Sequence, residues 1–272
     1  MRKLSLLLVM ASLCATVGLA ASPSPAAISS SDGWDLLIPV AGRTDGFGGE
    51  LFLTDLTLVN FGGPESQLVE VTWIPQGGTA VPFSDILTLG GYAAYNAEDV
   101  IGTLFETTGV GAIRIRSVDA MGANDTGATI DAFARIWTET TCAGSAGTVS
   151  QSVPAVVLSD WRSGSGAYVH GARSDAQFRT NYGIVNLSDA PLTFRVLANT
   201  MTGRVEETVV VPAMGTVHRP VPTGAEGDLS LFFEPIGVPE GALWSAYGST
   251  VDNQTGSGWT MVAVQPRVDV VF

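Results

Sequence analysis

Thr54-Asp55-Leu56-Thr57-Leu58-Val59-Asn60 returns later in the chain as Thr180-Asn181-Tyr182-Gly183-Ile184-Val185-Asn186. Each copy reads as a β-strand that ends at a turn. Side chains alternate across a strand, so Leu56 and Leu58, like Tyr182 and Ile184, fall on one face, and Asn is a common residue for starting the turn that follows. The copied stretch predicts two similar modules.

The chain has 272 residues, 46% hydrophobic and only 14% charged, with 32 Gly and 14 Pro. That length suffices for two domains that each bury a core, and the balance belongs to a turn-rich β protein rather than a disordered one. The first residues have the three parts of a secretory signal: Arg2 and Lys3, the apolar run Leu4 to Val17, and small residues around Ala20. Residues 1–20 are therefore read as a signal peptide. The apolar run is shorter than the roughly 20 residues of a bilayer span. Cys14 raises a lipoprotein alternative, which Leu13 before it fits poorly. Residues 21–33, rich in Ser, Pro and Ala, read as a flexible lead-in.

Cleavage there leaves Cys142 as the sole cysteine, so no intrachain disulfide is expected. Losing Arg2 and Lys3 takes the formal charge from −13 to −15, with arginine as the one remaining basic residue type. An acidic surface of this kind argues against nucleic acid and anionic membrane as partners.

Along the first module, Asp35 to Val40 is a candidate strand, placed at an edge by Pro39. Leu51 to Asn60 and Leu68 to Pro75 read as a hairpin across a Gly-Gly-Pro turn, with Val69, Val71 and Trp73 on one face. Asn96 as cap, Asp99 three residues on, and Val100, Ile101, Leu104 and Phe105 on one side predict a helix of about three turns. Gly111 to Val118 alternates, with Ile113 and Ile115 inward and Arg114 and Arg116 outward. Strands at Ile130 to Thr138 and Val149 to Val157 are joined by a small-residue loop, Thr140 to Gly147. From Ser163 the order restarts, and Val40 to Asp45 aligns with His170 to Asp175, bringing Arg43/Asp45 and Arg173/Asp175 into register. The helix is replaced by Arg219 to Gly224, whose two prolines forbid it.

The expected fold is all-β: two tandem antiparallel β-sandwich domains of immunoglobulin-like architecture, 34–162 and 163–272, with one short helix in the first. The chain resembles secreted bacterial tandem β-sandwich (immunoglobulin-like) repeat proteins, a class tied to no particular activity. The likeness lies in Ile38-Pro39-Val40, the repeated seven-residue stretch, Asp99-Val100, and Val251 to Gly256. It implies an exported, modular, non-catalytic protein and carries over no active site.

A hydrolytic triad needs a nucleophile, a base and an orienting group. The two histidines, His170 and His218, stand at unduplicated positions, and Gly164-Ser165-Gly166 lacks the nucleophile-elbow pattern. No catalytic and no cofactor-binding residues are assigned, and zinc lacks a ligand set. Asp119, Asn124, Asp125 and Asp131 are the weak candidates for calcium, although their spacing misses the EF-hand loop and these residues also form ordinary turns. The Arg-x-Asp repeat reads as loop-pinning, the six tryptophans as core or interface, and Cys142 as an idle or buried thiol.

The sequence thus points to a structural, adhesive or ligand-binding role at the cell surface or outside the cell. The loops Gly46 to Glu50, Ala120 to Gly127 and Thr140 to Gly147 would contact an unknown protein or glycan. Two alternatives stay open: a carbohydrate-binding module with an exposed aromatic row, and a hydrolase with a site between the domains.

Overall fold

The computed structural model describes residues 32–46, 49–82, 85–142 and 145–266. The expected signal peptide, residues 1–20 with Cys14, and most of the expected lead-in lie outside the described residues. The N–H and C=O of Gly33 both bond Ile130, so the last part of the expected lead-in is paired.

The fold is all-β with antiparallel sheets. In the first half the strands are β1 (Asp35–Asp45), β2 (Leu51–Asn60), β3 (Gln67–Pro75), β4 (Val81–Pro82), β5 (Leu87–Leu89), β6 (Ala94–Ala97), β7 (Gly109–Val118), β8 (Ile130–Cys142), β9 (Ser145–Pro154) and β10 (Val156–Val157). The second half contributes β11 (Ala167–Ser174), β12 (Phe178–Asn186), β13 (Leu192–Thr200), β14 (Gly203–Val211), β15 (Gly215–Pro220), β16 (Gly227–Ile236), β17 (Trp244–Asp252) and β18 (Gly258–Val262).

In the second half two four-stranded sheets form, β11-β16-β13-β14 and β15-β12-β17-β18. Tyr182, Ile184 and Trp244 from one share a buried cluster with Phe194, Leu231 and Phe233 from the other. In the first half β1 ties the layers together. It pairs with β7 and β10, shifts register between Ile38 and Ala41, and then pairs through Thr44 and Asp45 with β2. Pro39 sits in that shift, so it marks a bulge in a strand that keeps β7 as its partner on both sides, and not the edge strand its missing N–H suggested. Leu36, Ile38, Val71 and Ile113 on the β3-β7-β1 layer meet Leu56, Leu58, Ala132 and Ile136 on the β2-β8-β9 layer.

The expected β2–β3 hairpin does not form. β2 pairs with β1, β6 and β8, whereas β3 pairs with β4, β5 and β7. The chain crosses from one layer to the other because Leu56 and Leu58 must face Val69, Val71 and Trp73 across the core. Asn60 makes the crossing. Its side chain is 2% exposed. Oδ1 accepts the Gly62 N–H at 2.9 Å, and Nδ2 donates to the carbonyls of Glu65 at 2.9 Å and Gly90 at 3.2 Å. Asn186 repeats the arrangement: Oδ1 accepts from Ser188 at 2.8 Å, and Nδ2 reaches the carbonyls of Ala190 and Pro212 at 2.8 and 2.9 Å.

At the other end of each stretch a threonine hydroxyl bridges a neighbouring backbone. Thr54 donates to the Gly42 carbonyl and accepts its N–H, both at 2.8 Å, and Thr180 does the same with Arg173. Gly42 is therefore the counterpart of Arg173. The bulges agree, since Val169 and Ala172 flank the shift in β11 as Ile38 and Ala41 do in β1. Arg-x-Asp is thus one residue out of register between the halves, and the likeness of Arg43/Asp45 to Arg173/Asp175 is coincidental.

The helix shrinks to one turn, α1 (Val100–Thr103). Its cap is Asp99, in a left-handed backbone conformation (φ 45°), whose side chain accepts from Gly102 N–H. Asn96 lies in β6 and accepts a bond from Thr57 Oγ1. The Thr140 to Gly147 segment is largely paired and not a loop: Thr140, Thr141 and Cys142 pair with Gly147, Ala146 and Ser145, which extends the β8–β9 ladder.

The β3-β7-β1 layer faces the β12-β17 layer of the second half. Leu37, Ile74, Ala112 and Val156 meet Val185 and Leu187 in a third buried cluster. Alternate residues of β1 and β12 thereby serve different cores. Thr216 Oγ1 and Ser245 Oγ, both buried, have no hydrogen-bond partner among the described residues, and they flank Val185 on either side.

Two expectations follow. Asn60→Ala or Asn186→Ala leaves buried carbonyls unpaired and should cost on the order of 2 to 3 kcal/mol in urea unfolding. Thr216→Val and Ser245→Ala remove desolvated hydroxyls and should each raise stability by about 1 kcal/mol in the same assay.

Candidate functional site

Two concave regions and two open sheet faces gather the chemistry. One cleft, of about 360 Å³, opens beside the Asn60 turn and is lined by Glu65, Gln67, Asp119 and Asp125 among others. It brings together two of the four calcium candidates. Asp119 Oδ1 accepts the N–H groups of Met121 and Ala123, and Asp125 accepts Gly127 N–H on Oδ1 and Gln67 Nε2 on Oδ2. Asn124 accepts from Arg116, and Asp131 accepts from the Ala132 N–H on β8. These oxygens shape turns and strand ends. Among the described residues no group of three or more His, Cys, Asp or Glu side chains converges as a metal site.

The second cleft, of about 220 Å³, lies where the two halves meet. Glu50 and Phe52 of the first sheet, Thr138 and Glu139 of β8, Arg179 of β12 and the Asp252–Gly256 turn line it. Two of the three expected contact loops, Gly46 to Glu50 and Thr140 to Gly147, thus meet the second half's turn here. Ala120 to Gly127 belongs to the other cleft. Arg179 Nη1 donates to Asn253 Oδ1 at 2.8 Å. Asp252 accepts the N–H groups of Gln254 and Thr255 together with Gln177 Nε2. Those bonds, the Gln254 N–H foremost, hold the Asp252 carboxyl below its ordinary pKa.

Most of the described arginines bond a partner through the side chain. Arg43 pairs with Asp99 and so fastens α1 to β1, and Arg114 forms a bidentate pair with buried Asp35 at 2.9 and 2.7 Å. Arg173 bonds Asp175 at 2.6 Å and lowers its pKa, with the Phe178 N–H as the next contribution. Asp175 also accepts from Gln177, so this pair does pin its loop. Sequence reasoning missed Asp35–Arg114, because nothing local marks residues so far apart as partners.

The aromatic residues divide between core and surface. Trp73 and Trp244 are buried, Trp161 packs edge-on against Trp244, and Trp259 bonds the Gly171 carbonyl. On the outward face of β8, Phe133 is exposed, but the Arg135 guanidinium lies 5.7 Å over the Trp137 ring. His170, Tyr168 and Phe232 stack with near-parallel rings on the outward face of β11 and β16, at 5.8 and 4.4 Å, so their flat faces are turned to one another. His218 is bonded to the Tyr247 hydroxyl at 2.7 Å. Gly164-Ser165-Gly166 connects the halves, and Ser165 N–H bonds the Arg162 carbonyl. The Cys142 side chain lies outside the described residues.

Among the described residues no helix is long and apolar enough to cross a membrane. No protein-family model matches this chain, and no curated protein matches it either.

With most of the described arginines paired and a surplus of carboxylates in the sequence, the surface repels itself. Stability should therefore rise as salt shortens the screening length from about 30 Å at 10 mM to about 3 Å at 1 M. Thermal melts across that range should show a Tm that climbs and then levels off.

Proposed function

We propose that this is an exported, non-catalytic protein built of two tandem antiparallel β-sandwich units of immunoglobulin-like architecture, 34–162 and 163–272, that displays loops for binding or adhesion at the cell surface or outside the cell. Export rests on the three-part leader, residues 1–20. The tandem reading is supported by the two Thr-to-Asn stretches, each clamped at the same two positions by the same bonds. The binding reading is carried by the inter-half cleft, where a concave surface with both apolar and polar walls is made by loops held on rigid sheets.

The ligand is a protein or a glycan that presents polar groups to Glu139, Arg179 and the Asp252–Gly256 turn. Carbohydrate attachment is the second reading, favoured by exposed Phe133 on the same strand face as Trp137. A glycan array and a pull-down with the mature chain, run with and without calcium, test both. Ligand capture lost on replacing Asn253-Gln254-Thr255 by Gly-Ser-Gly supports the cleft, and capture lost on Phe133→Ala moves the site to the β8 face. Turnover of any polymer would overturn the non-catalytic reading.

A further inference from the structure

Tyr247 belongs to β17 in the second half, yet it is 1% exposed and its ring packs within the first half's core cluster. Gly183 on the neighbouring strand makes room for it, since a Cβ there would lie 2.2 Å from the ring. The hydroxyl is held at 2.7 Å by His218 Nδ1, and the two rings stack 6.0 Å apart. His218 is also fastened to the first half. Its carbonyl accepts from Gln76 Nε2 at 3.3 Å, and the nearby Thr216 carbonyl accepts the Gly77 N–H at 3.0 Å. The imidazole therefore sits at the seam: it bonds a tyrosine of its own half whose ring lodges in the other half's core, and only the backbone carbonyl of His218 is bonded across.

We propose that the His218–Tyr247 pair is an acid-released latch, closed while the imidazole is neutral and opened when it is protonated, so that the halves part while each core stays folded. Burial raises the pKa of the Tyr247 hydroxyl, which stays protonated and can donate to a neutral Nδ1. A protonated ring presents a donor there instead, and the hydroxyl proton loses its acceptor. Among the described residues the imidazolium also has no bonded counter-ion. On the elements packed against β15, Arg219 bonds Glu207 of β14, Arg179 of β12 bonds Asn253, Arg114 of β7 bonds Asp35, and Arg116 of β7 bonds Glu70 of β3. Arg204 and Glu206 of β14 and Asp252 of β17 are the other charges on those strands, and none of these groups bonds His218. The seam has little reserve, because Thr216 and Ser245 already bury unpaired hydroxyls in it.

Burial pushes the His218 pKa down to about 4 from its ordinary 6.5. The docked form then binds fewer protons than the released form between those values. Docking is at full strength above pH 6.5, weakens as pH falls through the window, and changes no further below about 4. The docking equilibrium should shift by roughly two orders of magnitude across it. The second cleft spans the same seam and would open with it. That consequence rests on the binding reading above, whereas the latch does not.

Small-angle X-ray scattering and far-UV circular dichroism of the full mature chain, titrated from pH 7.5 to 3.5, test the latch. The radius of gyration should grow within the window while the β signal is retained. His218→Gln should remove that growth. Tyr247→Phe, which keeps the ring and deletes the bond, should move the midpoint to higher pH. The proposal is overturned by a constant radius in the native chain, by expansion that coincides with loss of the β signal, or by an unchanged midpoint in either variant. Failure of every array probe alongside a preserved acid opening would sink the binding reading and leave the latch standing.

Discussion

A carboxamide taken out of water must find partners for both of its ends, and the protein uses that demand twice. Asn60 and Asn186 each stand where a strand leaves one layer and the chain must cross to the facing one. The oxygen closes the turn two residues on, and the nitrogen gathers carbonyls from the turn and from a distant strand end. Those carbonyls belong to irregular backbone that has no ladder to join. Turn, crossing and layer separation are thereby set by one side chain in each half, and the opposing threonine bridge fixes the other end of the same strand.

The two copies also show what a neighbour does to a strand. Thr57 looks outward from the β2-β8-β9 layer and bonds Asn96, whereas Gly183, its counterpart, faces the seam and yields its side-chain space to Tyr247. Val59 is half-buried, and its counterpart Val185 is fully buried between layers. A half-exposed strand alternates apolar and polar residues, while a strand covered on both faces cannot. The break in alternation after Tyr182 is the trace that the seam left in the sequence.

The surface follows from the charges. The ion pairs join strands or pin turns, so the arginines serve the architecture and leave the excess carboxylates to set the field around the molecule. Shape and hydrogen-bonding groups gather at the ends of the sheets, where the turns of the two halves come together. The binding proposed for that cleft depends on how the halves sit, so under that proposal the seam matters as much as the loops.

Much of the fold was legible because its causes are local. Alternation placed Leu56, Leu58, Ile113 and Ile115 inward, the prolines at 220 and 222 excluded a second helix, and the repeated stretch paired the halves. What misled was also local. Pro39 looked like an edge marker, Arg-x-Asp looked duplicated, and Gly-Gly-Pro looked like a hairpin turn, since each fits a short-range rule that a distant partner overrode. The sequence by itself determined an antiparallel β protein, because strand period and turn chemistry are written within a few residues. Only the tertiary structure decided which layer each strand joins, which charges pair and where Tyr247 lodges, because these are settled by burial between segments far apart in the chain, and no local pattern records who the neighbour is.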